Sequence, residues 1–196
     1  MTSAEAARDW LCHTDAQVSA HYVIAEDGRC WQLVAEDQRA WHAGAGQWGA
    51  VADVNSRSIG IELANTGSQP FSEPLMAALE ALLQEILKRW AIPPWRVIGH
   101  SDMALGRKID PGPRFDWRRL ARQGLAVWPA PATAGDFLSD ARRFGYALAA
   151  GQEDALLAAF RARFRPGAHG PQDAVDAALM ADLAARYPVD RPPLVA

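Results

Sequence analysis

His100 and Asp110 stand ten residues apart in the stretch Val97-Ile-Gly-His-Ser-Asp-Met-Ala-Leu-Gly-Arg-Lys-Ile-Asp110, with Lys108 two residues before the aspartate. Residues i and i+2 of an extended segment share a face, so Lys108 and Asp110 can point into one cleft. An imidazole and a carboxylate are donors that suit Zn²⁺, and a catalytic zinc typically takes three protein ligands plus water. This pair supplies two. The same residues also have a plain reading, a surface histidine beside a turn-forming Asp110-Pro111 step. Glu62, at the polar end of the apolar run Ile59-Gly-Ile-Glu-Leu63, is either half-exposed on a solvent face or held inside for proton transfer, and its own residues leave both readings open.

Several elements must position these groups. The run Trp95-Arg-Val-Ile-Gly99 reads as a short strand with His100 at its end, a common place for catalytic groups in α/β folds. Ser58–Leu63 reads as a buried strand that carries Glu62. Val18–Ile24 and Arg29–Val34 are β-rich and flank Asp27-Gly28, a strong hairpin signal. From Pro74 to Trp90 apolar residues recur every three or four positions, with proline placed as a first helical residue. Thr2 followed by Glu5 fits a capping box that opens an N-terminal helix. Between hairpin and Glu62 strand lies a glycine-rich loop, Trp41 to Ala52, long enough to be functional. Trp41 and Trp48 on it are aromatic faces for a ligand, whereas Trp31, Trp90 and Trp95 in regular elements read as core. Strands joined through an amphipathic helix give an α/β fold, a mixed central sheet flanked by helices. Pro129-Ala-Pro-Ala-Thr-Ala-Gly135 has a linker's composition. Residues 1–128 therefore read as one domain, 129–135 as a linker, and 136–196 as a small three-helix bundle near the lower limit of independent stability.

Composition narrows the function classes. The chain of 196 residues is 49% hydrophobic and 22% charged, a globular balance. Its net charge of -3 offers no field that recruits nucleic acid or an anionic membrane surface. No apolar run approaches a transmembrane length, and MTSAEAARDW as written does not read as a secretory signal. Cys12 and Cys30 read as two unbridged thiols.

Five motifs stand in order along the chain: SAHYVI, WHAG, NSRSIGIELAN, VIGHSDMALGRKIDPGP and FDWRRLARQG. Together, over about residues 1–128, they resemble the zinc-dependent N-acetylmuramoyl-L-alanine amidases of the amidase-2 family, which share a fold with peptidoglycan-recognition proteins. The bundle resembles a peptidoglycan-binding-like module, which implies an anchor to the wall. The resemblance implies hydrolysis of the amide between N-acetylmuramic acid and the L-alanine of the stem peptide, in cell-wall turnover or recycling. It implies Zn²⁺ as cofactor and peptidoglycan or muropeptides as partners. It makes His100 and Asp110 zinc ligands, Glu62 the general base and Lys108 the residue that steadies the developing oxyanion. Trp41 and His42 then line the substrate groove, and Asn55 contacts the stem peptide.

The family's remaining zinc ligand is a histidine in a strand before the first helix, which the resemblance places upstream of Met1. An open sheet edge and weakened zinc binding are therefore expected of this form, with His21 the first candidate for a substitute ligand. The alternative is a non-catalytic peptidoglycan-binding protein with an incomplete zinc site. The joint presence of Glu62, Lys108 and Asp110 favours the enzyme, because a pure binder needs neither a base nor an oxyanion partner. Family members occur as envelope lipoproteins and as cytosolic enzymes; the bundle favours the envelope and leaves the cytoplasm open.

Overall fold

The computed structural model describes residues 3–190. Helix α1 (Ala4–Leu11) starts at Ser3, whose hydroxyl accepts from the Ala6 N–H at 3.1 Å. This bond satisfies one of the donors that a helix start leaves unpaired. The cap expected at Thr2 lies outside the described residues.

The sheet is mixed and has three strands among the described residues, in the order β2-β1-β3. β1 (Tyr22–Ile24) and β2 (Cys30–Gln32) are antiparallel. They are shorter than the β-rich runs around them. Gly28 takes φ +87 in the turn between them, and a Cβ there would lie 2.9 Å from the Pro74 carbonyl oxygen. Both conditions demand glycine. β3 (Ile61–Leu63) runs parallel to β1, with Val23 opposite Glu62.

Helix α2 (Glu73–Arg89) has Pro74 in its first turn and buries Leu75, Met76, Leu79, Leu83 and Ile86. Their three-to-four spacing puts them on one stripe, which packs on Ile24 of the sheet and on Phe115, Trp117 and Leu120. Full burial of each such side chain is worth about 1.5–3 kcal/mol. Trp90, read from sequence as core, is instead 45% exposed, and its indole N–H donates to Glu36 at 2.6 Å.

The strand expected at Trp95–Gly99 does not form. Pro93 and Pro94 set a single 3-10 turn, Pro94–Arg96, closed by Arg96 N–H to the Pro93 carbonyl at 2.9 Å. The prolines turn Trp95 and Arg96, whereas Val97 and Gly99 keep extended backbone and find no ladder partner among the described residues. Helices α3 (His100–Met103) and α4 (Trp117–Arg122) follow.

The last segment forms three helices, α5 (Phe137–Phe144), α6 (Glu153–Phe164) and α7 (Ala174–Arg186). Their core is continuous with that of the preceding residues: Phe144, Tyr146, Leu156, Phe160 and Leu183 cluster with Trp48, Met103 and Leu105. Trp48 is 4% exposed and meets the Phe144 ring edge-on at 5.5 Å. The ligand face assigned to Trp48 from sequence is therefore corrected: the bundle covers it. Both cysteines are free and exposed.

Candidate active site

His100 is the first residue of α3 rather than the end of a strand. Its Nδ1 lies 3.1 Å from Asp110 Oδ2, and its Nε2 lies 3.0 Å from the Ala43 carbonyl oxygen. A carbonyl can only accept, so Nε2 carries the proton and Nδ1 faces the carboxylate. Two acceptor atoms at that distance repel unless a proton or a cation lies between them. A backbone carbonyl that fixes the outer nitrogen is also how metal-binding histidines are usually oriented. Burial works against the Asp110 carboxylate, yet the hydrogen bond and charge of His100 outweigh it and hold its carboxyl below the usual range. The donor chemistry fits two places of a zinc site. No group of three His, Cys, Asp or Glu that could hold a metal occurs among the described residues.

Glu62 sits on β3 and lines the same cavity as His100 and Asp110. Burial pushes its carboxyl up, and the negative Asp110 adds to this, while His100 and Lys108 pull the other way. A carboxyl raised toward neutrality is suited to taking and returning a proton. Lys108 is exposed in the loop after α3, with its backbone N–H on the Ala104 carbonyl at 3.0 Å. Its charge acts on both Glu62 and Asp110.

The glycine-rich loop carries the remaining candidates. Trp41 is 54% exposed, with the Arg39 guanidinium 4.0 Å from its ring centroid. The His42 ring lines the cavity, and its Nε2 is buried without a hydrogen-bond partner among the described residues. Burial pushes His42 down to about 4, with His21 and then His100 contributing and a backbone hydrogen bond at Ser58 opposing. Asn55 is 8% exposed, and its side-chain oxygen accepts from the His42 and Ala43 N–H groups at 3.0 and 2.8 Å. That oxygen holds the loop, and the stem-peptide contact expected of Asn55 falls to its side-chain amide N–H donors.

His21 does not serve as a substitute ligand. It is fully buried, its Nδ1 accepts from the Gly60 N–H at 2.9 Å, and its Nε2 lies 3.0 Å from the Gln38 carbonyl. One nitrogen accepts and the other donates, so no lone pair is left for a metal.

Two outcomes are expected here. A Cβ on Gly60 would run into the His42 imidazole. Gly60→Ala should therefore lower unfolding free energy by about 1–3 kcal/mol in a urea titration, the usual cost of overpacking. In the metal-free protein, the unfolded chain protonates its His42 near 6.5 whereas the folded chain resists until about 4. Its contribution to stability is therefore lost as pH falls through that window, by up to about 1.4 kcal/mol per pH unit. His42→Gln should flatten this slope between pH 7 and 4.5; an unchanged slope would remove His42 from it.

A cavity of ≈ 670 Å³ runs from these groups into the protein. Its lining includes Ile61 and Leu63 of β3, Val97 and Ile98, and Leu83 and Ile86 of α2. The outer edge of β3 has no strand partner among the described residues. The expected open sheet edge is thus a slot between two extended segments, leading to Glu62 and His100. Sequence reasoning missed the Ala43 carbonyl, because a backbone acceptor leaves no signal in residue type. It also missed Arg107, which donates to that carbonyl at 2.7 Å.

Residues 1–113 match the family model described as Amidase_2, N-acetylmuramoyl-L-alanine amidase. The chain is 34% identical over 213 residues to N-acetylmuramoyl-L-alanine amidase AmiD of Escherichia coli, covering 90% of this chain and 77% of that one. The structure of that AmiD in complex with the substrate anhydro-N-acetylmuramic acid-L-Ala-D-gamma-Glu-L-Lys superposes with a TM-score of 0.85, over 93% of this chain and 84% of the other. AmpDh3 of Pseudomonas aeruginosa, in complex with anhydromuramic pentapeptide, is 33% identical with a TM-score of 0.83, over 94% and 88% of the two chains. The 1,6-anhydro-N-acetylmuramyl-L-alanine amidase AmpD of Haemophilus influenzae is 41% identical, but over 53% of this chain and 56% of its own length. No described helix is long and apolar enough to cross a membrane.

Proposed function

The chain belongs to the amidase-2 family of N-acetylmuramoyl-L-alanine amidases, and we propose that its cleft at Glu62, His100, Asp110 and Lys108 hydrolyses the amide between N-acetylmuramic acid and the L-alanine of the stem peptide. The observation that carries this reading is the approach of His100 Nδ1 to Asp110 Oδ2 at 3.1 Å beside a carboxyl held above its usual range.

His100 and Asp110 would hold zinc, which when bound supplies a Lewis acid for the amide carbonyl and lowers the pKa of a water. Glu62 takes the proton of the attacking water and returns it to the L-alanine nitrogen as the carbon–nitrogen bond breaks. Lys108 offsets the negative charge that develops on the carbonyl oxygen. His42 lines the wall of the groove, kept neutral by its burial, and Trp41, which lines a separate surface pocket, offers an exposed face for sugar beyond the cleft. Substrates are peptidoglycan or the muropeptides released from it. The bundle supports an envelope location over a cytoplasmic one: the match to AmiD extends over 90% of the chain, and that to AmpD over 53%.

The third metal donor, on this reading, comes from an extended strand that fills the slot between β3 and Val97–Gly99 and ends beside His100. Its apolar walls and the open edge of β3 support this. Zinc titration against a chromophoric chelator tests it. A form extended upstream in frame by a hydrophobic strand ending in histidine should bind one zinc tightly, and residues 1–196 alone orders of magnitude less tightly. One tight zinc on residues 1–196 alone would refute the strand as donor. Capture of muropeptide without cleavage by the zinc-loaded form would favour a binding protein.

A further inference from the structure

A buried ionic cluster lies two residues beyond His100 and plays no part in the chemistry above. Asp102 is 1% exposed, and the Arg163 side chain facing it 2%. Asp102 Oδ2 accepts from the Gly99 N–H at 2.8 Å and from Arg163 Nη1 at 2.5 Å, and its Oδ1 accepts from the Tyr146 hydroxyl at 2.8 Å. The second Nη of Arg163 donates to the Val97 carbonyl at 2.8 Å, and the guanidinium lies 4.2 Å from the Trp117 ring centroid. Arg163 belongs to α6, and Tyr146 follows α5. Three hydrogen bonds from the bundle therefore end on Val97 and Asp102, the residues that flank His100 on either side.

A second connection reaches the same imidazole from its other nitrogen. The Gly49 N–H donates to the Gly145 carbonyl at 2.8 Å, and the Gln47 N–H to the Met103 carbonyl at 2.8 Å. The Trp48 ring packs so close over Gly145 that a Cβ there would overlap it. These contacts fix the loop whose Ala43 carbonyl holds His100 Nε2. A buried ion pair is weak as a stabilising device, because an apolar pair of similar volume does as well. Its directional bonds hold a backbone turn in one conformation, which an apolar pair does not.

We propose that Asp102, Arg163 and Tyr146 are positioning residues, through which the C-terminal bundle fixes the Val97–Met103 turn and aims His100 Nδ1 at Asp110. The bundle is then part of the catalytic unit rather than solely a wall anchor. The consequence for turnover rests on the amidase reading; the holding of the turn does not.

The test uses the full chain, extended upstream as above wherever zinc binding or turnover is read. Arg163→Met removes the clamp, and Arg163→Met combined with Asp102→Asn leaves no lone buried charge while keeping an oxygen for Gly99. Arg163→Lys keeps the charge, Tyr146→Phe removes a single hydrogen bond, and Leu183→Ala lowers stability without touching these bonds. In the metal-free protein, hydrogen exchange at the Gly99 amide should quicken about tenfold or more in the first two variants, with β1 amides unchanged. Zinc affinity should fall about 10–100-fold. kcat on a soluble muropeptide should fall about 10²-fold at nearly constant KM. Arg163→Lys should recover most of each loss, and Tyr146→Phe should show a smaller one. Unchanged Gly99 exchange in the clamp variants would overturn the proposal, as would Leu183→Ala reproducing their losses at a matched Tm. A zinc-loaded, upstream-extended wild type without amidase activity would refute the amidase reading, and Gly99 exchange would still decide whether the bundle holds the turn.

Discussion

Glu62→Ala is expected to lower turnover by about 10²–10⁴, the range that a positioned general base contributes. Glu62 is the one carboxyl in the cleft that burial and Asp110 together push upward, so it is the group best matched to proton transfer at neutral pH. It is not one of the two donors that face each other, so zinc content should stay as in the parent protein. Metal analysis of the purified variant separates the roles: loss of zinc along with activity would make Glu62 a ligand instead of a base. Glu62→Gln, which keeps the shape of the side chain but cannot take a proton, should be nearly as slow as alanine.

Lys108→Ala should cost about 10²–10³ in kcat, comparable to deleting one oxyanion donor. The residue is exposed and makes no salt bridge among the described residues, so its removal should leave stability nearly unchanged. Its charge acts on both Glu62 and Asp110, and on the proposed reading it answers the charge that develops on the polarised carbonyl. A loss carried by kcat with KM little changed is the expected pattern, because the charge it answers develops only in the transition state. Unchanged steady-state rates would take Lys108 out of the mechanism.

The parts legible in the sequence are those whose signal is local. The apolar stripe of α2 and the three bundle helices follow from helical spacing, and the β1–β2 turn from Asp27-Gly28, where only glycine meets both the positive φ and the approach of Pro74. Glu62, His100 and Asp110 do line one cavity. What escaped depends on contacts distant in sequence. Trp48, in a glycine-rich loop, has the look of an exposed aromatic, and it is buried because Phe144 and Tyr146 arrive from the bundle. Asp102 passes for an ordinary polar residue after His100, since its partner Arg163 is 61 positions away. Trp95–Gly99 has a strand's composition, but the two prolines before it turn its first half and the extended Val97–Gly99 has no ladder partner among the described residues. His21 has the residue type of a ligand, and only the neighbouring Gly60 and Gln38 backbone groups show that its nitrogens are used.

Amide hydrolysis in the Glu62–His100–Asp110 cleft is read from its products. Zinc-loaded protein, extended upstream as described above, is incubated with anhydro-N-acetylmuramoyl-L-Ala-D-γ-Glu-L-Lys, and the mixture is analysed by mass spectrometry beside the Glu62→Ala variant. Free anhydro-N-acetylmuramic acid and a tripeptide with an unblocked L-alanine amine are expected from the parent protein and should be nearly absent with the variant. Intact substrate after prolonged incubation with a fully zinc-loaded protein, or equal cleavage by the Glu62→Ala variant, would contradict hydrolysis in this cleft.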